Sequence, residues 1–542
     1  MLQSLGMLKP QKIITSKEEL VKILLKNRGI KEADREKFFN PALRDFEKEF
    51  DLPGITSAKR RILQATKNKE LVIVYGDYDV DGLCGAAILY LGLSIVGAKV
   101  LPYIPHREKE GFGMSETGLQ FAKDQGAKLI VTVDNGITAV DQAKLAQKMG
   151  LDLIITDHHL PQDIKPEALS IIHSTKMCGA AVGWCLLRSF LSKKDAEDLL
   201  DLVALAEVSD MVPMLGVNRA LVKAGLEKLN STKRVGLLAL INQAGLTEGE
   251  INSYHVGFVL GPRLNAKGRL EHAMDALRLL CTKDPMKARN LAKLLGETND
   301  RRRQLVTDGL VLAKTGISIK DEKIILTSSD KWIPGITGLL AGKLKDEYGI
   351  PAVVICRMES VSKGSARSVK GVNIVEIFRS CSKFLIDVGG HPAAAGFTIE
   401  TSKIDEFKSS LQKAMEKVKF DRSGKMEVDG ELALDKIDKS WVEALDKFEP
   451  FGIGNPKPIF SGNAKIANIK TVGGGAHLKF KADGIDAIAF SFGGKYPNLV
   501  DGQSMGLAYY LEIDKFNNTE KLQLKVTDLY ELSGNTISQK SL

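Results

Sequence analysis

Three aspartates at alternate positions, Asp77, Asp79 and Asp81, follow a run of β-forming residues, Leu71-Val72-Ile73-Val74-Tyr75, that breaks at Gly76. Carboxylates crowded on a short loop behind a buried strand repel one another unless a cation neutralises them. Their type points to a hard divalent ion at the C-terminal end of a parallel strand. Two further β-like runs end in donors of the same class: Val131-Thr132-Val133 leads into Asp134, and Ile154-Ile155-Thr156 leads into Asp157-His158-His159. Asp210 follows a helical stretch in Ser209-Asp210-Met211. Taken singly, an aspartate at a strand end is ordinarily a turn or cap residue, and a histidine pair is ordinarily polar surface. Strand ends of a parallel sheet share one edge, however, so donors at three successive ends argue for one metal site. The set is rich in oxygen, includes imidazole and lacks thiolate, which favours Mn²⁺ or Mg²⁺ over a structural zinc. Five or six ligands exceed the needs of one ion once water is counted. Two ions about 3.5–4 Å apart, bridged by a carboxylate and a water, fit the number. An EF-hand matches only the first half of the loop: its twelfth position falls on Ile88, and a strand precedes it where a helix is required.

These residues need a scaffold that brings strand ends together. From residue 70 to about 160, LVIVYG, KVLPYI, KLIVTVDNG and LDLIITDHH alternate with helical stretches such as TGLQFAKDQGA and AVDQAKLAQKMG. Strand, helix, strand at this spacing predicts βαβ units and a doubly wound parallel sheet. Residues 1–65 read as an N-terminal segment of short polar helices, and the sheet with its flanking helices as a catalytic domain over 66–270. A helical connector is expected over 271–320 and a second, smaller α/β domain over 321–420. Short alternating strands over 421–535 suggest an OB-like β-barrel, with the tail SGNTISQKSL frayed.

Composition sets wider bounds. A chain of 542 residues is too long for one core. Its 44% apolar and 26% charged residues are those of a globular protein. The net charge of +9 permits a polyanionic partner without demanding one. From Asp421 onward there are 15 Lys/Arg against 17 Asp/Glu, so any basic groove draws mainly on the upstream domains. Six scattered cysteines form no CxxC pair, which fits a reduced, cytoplasmic setting. The N-terminus has no apolar core of a signal peptide. The longest apolar run, Leu83 to Ala98, is short for a membrane span.

The motifs GDYDVDG, VDNG, DHH and SDMVP, in this order, resemble the DHH phosphoesterase superfamily. IPHREKEGFG (104–113), GPRLNAKGRL (261–270), GSARS (364–368), GGHPAAAGF (389–397) and EPFGIGNPKPIF (449–460) narrow the resemblance to the RecJ single-strand exonucleases. It covers the chain from about Leu20 to about Leu532. The resemblance implies a two-metal nuclease that degrades single-stranded DNA from the 5′ end to mononucleotides in DNA repair and recombination. It places Asp79, Asp81, Asp134, His158 and Asp210 in the metal core, with Asp134 as the bridge and Asp77 as a further ligand or supporting acid. His159 resembles the histidine that faces the scissile phosphate. Arg107, Arg263, Ser365, Arg367 and His391 match positions that grip substrate phosphates, Asn265 lies in the same substrate-binding motif as Arg263, and Phe112 could stack on a base. The resemblance further implies a monomer that acts with a helicase and a single-strand-binding protein.

Three positions depart from the family pattern. Phe112 replaces a common tyrosine and so lacks its hydroxyl. Ile333, in Trp332-Ile333-Pro334-Gly335, stands where a histidine is usual. Lys267 stands where a small residue is usual; a phosphate contact and a solvent-facing side chain are both open, and we read it as facing solvent. Rival readings are a nanoRNase or nucleotide phosphatase of the superfamily, which generally lacks the last domain, a family II inorganic pyrophosphatase, which lacks the GGH motif, and a non-catalytic DNA-binding replication factor of the same fold.

Overall fold

The structure is a computed structural model that describes residues 13–315, 317, 322–421, 427–496, 498–514 and 519–531; the tail SGNTISQKSL lies outside them. Contacts divide the chain into two compact units. One comprises Ala42–Val212 and Gly216–Arg422; the other comprises Met1–Pro41, Pro213–Leu215 and Ser423–Leu542. Strands are numbered along the chain, beginning with β1 at Ile13–Ile14.

The larger unit holds two sheets. The first contains β2 (Leu71–Tyr75), β3 (Lys99–Tyr103), β4 (Leu129–Val133), β5 (Asp152–Asp157) and β6 (Ser170–His173), all parallel, in the order β3-β2-β4-β5-β6. Its central strands are continuous apolar runs because both faces are covered. Val72, Val74, Val131, Val133 and Ile154 pack against helices Val80–Ile95, Gly179–Arg188 and Leu200–Ser209. Ile73, Tyr75, Ile130 and Ile155 pack against helices Glu116–Asp124 and Val140–Lys148. This is the doubly wound arrangement expected from the βαβ spacing. Registers Tyr75↔Thr132 and Val133↔Thr156 set the C-terminal ends of β2, β4 and β5 side by side. The three runs that end in aspartate therefore deliver their donors to one edge.

The 30-residue helix Pro285–Lys314 precedes the second sheet. That sheet contains β7 (Ile325–Ser329), β8 (Ala352–Cys356), β9 (Val361–Arg367), β10 (Leu385–His391) and β11 (Ala394–Glu400), in the order β10-β11-β9-β8-β7, with only β7–β8 parallel. Helix Pro334–Tyr348 covers one face together with Val306 and Ala313 of the long helix. Helices Ile374–Ser380 and Ile404–Glu416 cover the other.

In the smaller unit, β12 (Gly430–Leu432) pairs with β1 and with β13 (Phe460–Val472). The remaining strands are β14 (His477–Ala482), β15 (Ile485–Ala489), β16 (Ser504–Asp514) and β17 (Lys521–Glu531). β13 divides its length between two neighbours, Phe460–Lys465 against β16 and Ile466–Val472 against β14, while β15 and β17 pair in parallel. The EPFGIGNPKPIF stretch has a structural explanation here. Asn455 is fully buried and donates to the carbonyls of Phe448 (2.8 Å) and Pro450 (2.9 Å). Its carbonyl accepts from Arg28 Nε at 2.7 Å, and Arg28 also pairs with Asp429. A buried amide and guanidinium thus satisfy each other and hold the turn.

All six cysteines are free. Among the described residues no helix is long and apolar enough to cross a membrane.

Candidate metal centre and phosphate site

The loop after β2 is shaped by its own carboxylates. Asp79 N-caps helix Val80–Ile95, its side chain accepting from Gly82 N at 3.1 Å. Asp81 turns away from that helix. Its two oxygens accept from Gly179 N and Ala180 N, both at 2.7 Å, at the start of helix Gly179–Arg188. A carboxylate at a helix N-terminus meets both the free N–H groups and the favourable end of the dipole. Asp134 sits at φ 62°, a left-handed conformation that Asp tolerates better than most residues. Gly179 makes room for it: a methyl group there would lie 2.6 Å from Asp134 Cβ.

Three sets of side chains converge so closely that their donor atoms lie within 4.8 Å of one another: Asp77, Asp79 and Asp134; Asp134, His158 and His159; and Asp81, His158 and Asp210. Asp134 and His158 each belong to two sets. His158 Nε2 is 3.1 Å from Asp134 Oδ1 and 3.6 Å from Asp81 Oδ2, and its Nδ1 is 3.7 Å from Asp210 Oδ2. All seven acids and imidazoles singled out in the sequence therefore meet at one place.

The electrostatics are those of an anionic nest in need of a cation. Burial, then repulsion from Asp79, pushes Asp77 well above the usual carboxylate range. Burial and Asp81 raise Asp79 and push Asp134 well above that range. Burial and the Asp81 and Asp79 charges push Asp210 up to about 9. Asp77 Oδ1 and Asp134 Oδ1 are buried without a hydrogen-bond partner. Buried carboxylate oxygens left unpaired are costly. The donor set fits two divalent ions of the Mn²⁺ or Mg²⁺ class, since it offers oxygens and imidazole and no thiolate.

Asp157 and Glu207 were not assigned from the sequence. Asp157 is 1% exposed and organises the histidine pair. Its Oδ1 accepts from His158 N (2.7 Å) and His159 Nδ1 (2.8 Å), and its Oδ2 accepts from Ile137 N (2.8 Å). Burial alone would raise its pKa, but the His159 hydrogen bond and charge and the backbone donors together lower it. An ionised Asp157 fixes the proton on His159 Nδ1 and leaves Nε2 free. Burial depresses His159, but Asp157 outweighs it, so the ring is held above its ordinary value. Burial instead lowers His158, which keeps it neutral and able to ligate. Glu207 lies behind Asp81; burial and that charge push it up to about 8. The aspartate inside the DHH motif was the available signal for the first. An acid one helical turn before Asp210, in an otherwise apolar stretch, is the signal for the second.

A bank of arginines adjoins the carboxylates. Arg107 lies over the Tyr78 ring at 4.9 Å. Arg367, at the end of β9, packs beside Gly338. Ser365 Oγ is 3.0 Å from Thr337 Oγ1. Arg269 was not singled out, although it shares a motif with Arg263. Burial, then Arg107, Arg302 and Arg367, depresses Arg269 to about 9. A guanidinium keeps its proton, so this pressure marks a site built for an anion. Arg263 is turned elsewhere, with Nε donating to Gln243 (2.9 Å) and Nη1 to the Val259 carbonyl (2.9 Å). Asn265 is half-buried on the same helix. Phe112 is 49% exposed and meets the His159 ring edge-on at 5.0 Å. His391 is exposed at the end of β10.

Lys267 corrects one expectation. It is not turned to solvent but is 5% exposed, paired with Glu271 and 3.7 Å from Asp275. Helix spacing supplies the Glu271 partner at i+4, and burial of the stem follows. Ile333 precedes Pro334 at the start of helix Pro334–Tyr348 and has no ligating capacity.

Three family models match the chain: the DHH family N-terminal domain over residues 71–206, the DHHA1 domain over 321–417 and the RecJ OB domain over 428–528. The single-stranded-DNA-specific exonuclease RecJ of Bacillus subtilis is 34% identical over 534 residues, covering 94% of this chain and 67% of that protein. The protein of the same name from Haemophilus influenzae is 30% identical, covering 88% of this chain and 90% of its own length. The chain belongs to the RecJ family. Among solved structures, RecJ from Thermus thermophilus in complex with Mn²⁺ superposes with a TM-score of 0.82 at 28% identity, covering 96% of this chain and 78% of that one. The Mg²⁺ complex of that protein gives a TM-score of 0.78. The RecJ-family domains thus fall on the two sheets of the larger unit and on the strand-rich part of the smaller one.

Proposed function

We propose that this RecJ-family chain is a metal-dependent exonuclease that hydrolyses single-stranded DNA from the 5′ end to mononucleotides. The observation that carries the reading is the acid and imidazole cluster in which Asp134 and His158 are shared between donor sets, set beside the arginines Arg107, Arg269 and Arg367. Asp77, Asp79, Asp81, Asp134, His158 and Asp210 hold two divalent ions, Mn²⁺ or Mg²⁺. Bound there, such ions supply an activated water and neutralise charge on the phosphate. The chain's own residues do the rest. Asp157 orients His159, whose free Nε2 and raised pKa suit it to stabilise charge on the scissile phosphate or the leaving oxygen. Arg107, Arg269 and Arg367, with Ser365, hold the terminal phosphate, the planar guanidinium fork matching its oxygens. Arg263, Asn265 and His391 hold further phosphates, and Phe112 stacks on a base. The OB region guides the strand.

A monomer in the cytoplasm, working with a helicase and a single-strand-binding protein, completes the reading, because a duplex end must be opened before a single strand can enter. The matched OB region speaks against a nanoRNase or nucleotide phosphatase. The full donor set speaks against a non-catalytic binding factor.

The test is a Mn²⁺-dependent assay on single strands labelled at either end, run beside short oligoribonucleotides and pyrophosphate. The 5′ label is expected to appear at once as a mononucleotide, while the 3′ label stays on a shortening strand. Loss of the 3′ label first would overturn the polarity. Turnover of pyrophosphate alone would overturn the exonuclease reading.

A further inference from the structure

A second feature of the larger unit bears on how a strand is held. Tyr254 and Phe258 are 58% and 72% exposed, yet their rings stack on each other at 5.0 Å with 25° between planes. Two large aromatic rings in water are an unusual expense of apolar surface on a soluble face. Phe258 sits in a π-helical turn, Val256–Leu260, that runs directly into helix Gly261–Leu270. Such turns are uncommon in helices and recur at functional sites. The turn is seated on the end of the helix that delivers Asp210: a methyl group at Gly261 would lie 2.8 Å from Ser209 Oγ.

Cationic groups lie along the same ridge. Arg263, on the helix that follows, donates through Nη1 to the carbonyl of Val259, next to Phe258, and through Nε to Gln243. Arg302 is half-buried, and its Nε has no hydrogen-bond partner. Burial, then Arg303 and Arg263, lowers the pKa of Arg302. Arg302 in turn presses on Arg269, which lies by Arg107 and Arg367. Arg263, Arg302 and Arg303 thus form a cationic group, with Asp300 beside it, on helix Gly261–Leu270 and the long helix Pro285–Lys314.

We infer that Tyr254 and Phe258 form a base-stacking ledge for the single strand outside the cleft, with Arg263 and Arg302 contacting its backbone. Planar rings take any base on their faces, and the flanking guanidinium groups take the phosphates, which is the chemistry of sequence-tolerant single-strand binding. A duplex offers no free base face to such a ledge, so the feature selects for unpaired DNA. The inference rests on the function proposed above and adds a subsite to it.

The experiment measures binding of a 3′-fluorescein-labelled twenty-residue oligothymidylate by anisotropy in EDTA, and compares kcat/KM in Mn²⁺ for 5′-phosphorylated strands of twenty and two residues. Phe258→Ala is expected to weaken binding roughly tenfold and to reduce the preference for the long strand by the same factor. Phe258→Trp should restore both, whereas Phe258→Leu should not, which separates stacking from apolar contact. Tyr254→Ala/Phe258→Ala should lose more than either change alone. Exposed positions leave the melting temperature as a control on folding. Variants that bind and discriminate by length like the parent, or a leucine that serves as well as tryptophan, would overturn the ledge and assign the rings to a protein partner. A parent protein that releases no mononucleotide from either strand in Mn²⁺ would instead overturn the proposed function.

Discussion

Replacing Asp134 with asparagine should lower mononucleotide release from single-stranded DNA by at least about 10³-fold, the rate equivalent of losing several kcal/mol of metal-borne stabilisation. Asp134 Oδ1 is buried without a hydrogen-bond partner, lies 3.1 Å from His158 Nε2, and belongs to two of the three donor sets. Asparagine is the informative substitution because it tolerates the φ of 62° that alanine would find strained. It also leaves the volume beside Gly179 unchanged. The same change should stabilise the metal-free protein by on the order of 2 kcal/mol, because one of five crowded carboxylates is gone. Activity and metal-free melting temperature should thus move in opposite directions. A variant that keeps full activity would remove Asp134 from the metal centre.

The second large effect is a pH-dependent response to metal. In the metal-free fold Asp77, Asp79 and Asp134 are raised, Asp210 lies at about 9 and Glu207 at about 8. Their unfolded values are about 4. Between those limits the folded state binds more protons than the unfolded state, so stability of the metal-free protein falls as pH rises from about 4 toward 9. Metal must displace those protons, so its affinity climbs over the same window. For one proton displaced per ion, affinity gains about tenfold per pH unit, or roughly 2.7 kcal/mol between pH 6 and 8. The rise in melting temperature caused by 1 mM Mn²⁺ should therefore be larger at pH 8 than at pH 6, by on the order of 5 °C. Differential scanning fluorimetry at the two pH values measures it. A shift that is the same at both, or larger at pH 6, would contradict the assignment of these raised carboxylates to the metal site.

Much of this centre is legible in the sequence because strand pattern and donor type coincide. Leu71–Tyr75, Leu129–Val133 and Asp152–Asp157 are apolar runs of strand length, and each leads within two residues to a carboxylate, Asp77, Asp134 or Asp157. A parallel sheet then brings Asp77, Asp134 and His158 together without further information. What was not legible depends on contacts between distant segments. Nothing in Asp81 announces that its oxygens cap a helix that starts 98 residues later. Arg269 looks no different from Arg263 in one motif, and only packing turns Arg263 onto Gln243 while it leaves Arg269 against Arg107 and Arg367. Lys267 departs from the solvent-facing expectation because pairing with Glu271 at i+4 offsets the burial of a residue that is ordinarily exposed. Ile13–Ile14 is too short for its strand character to show, and it pairs with β12 more than four hundred residues away.

The central claim is that this cluster is a two-metal centre serving a single strand of DNA. Anomalous diffraction at the manganese edge, from crystals of Asp157→Asn, which lacks the acid that orients His159, grown with Mn²⁺ and a short 5′-phosphorylated oligothymidylate, tests it most directly. The account predicts two separate manganese peaks among Asp77, Asp79, Asp81, Asp134, His158 and Asp210, both within coordination distance of Asp134, with the terminal phosphate on Arg107, Arg269 and Arg367. A single peak, peaks that leave Asp134 uncoordinated, or a strand bound away from these arginines would contradict it.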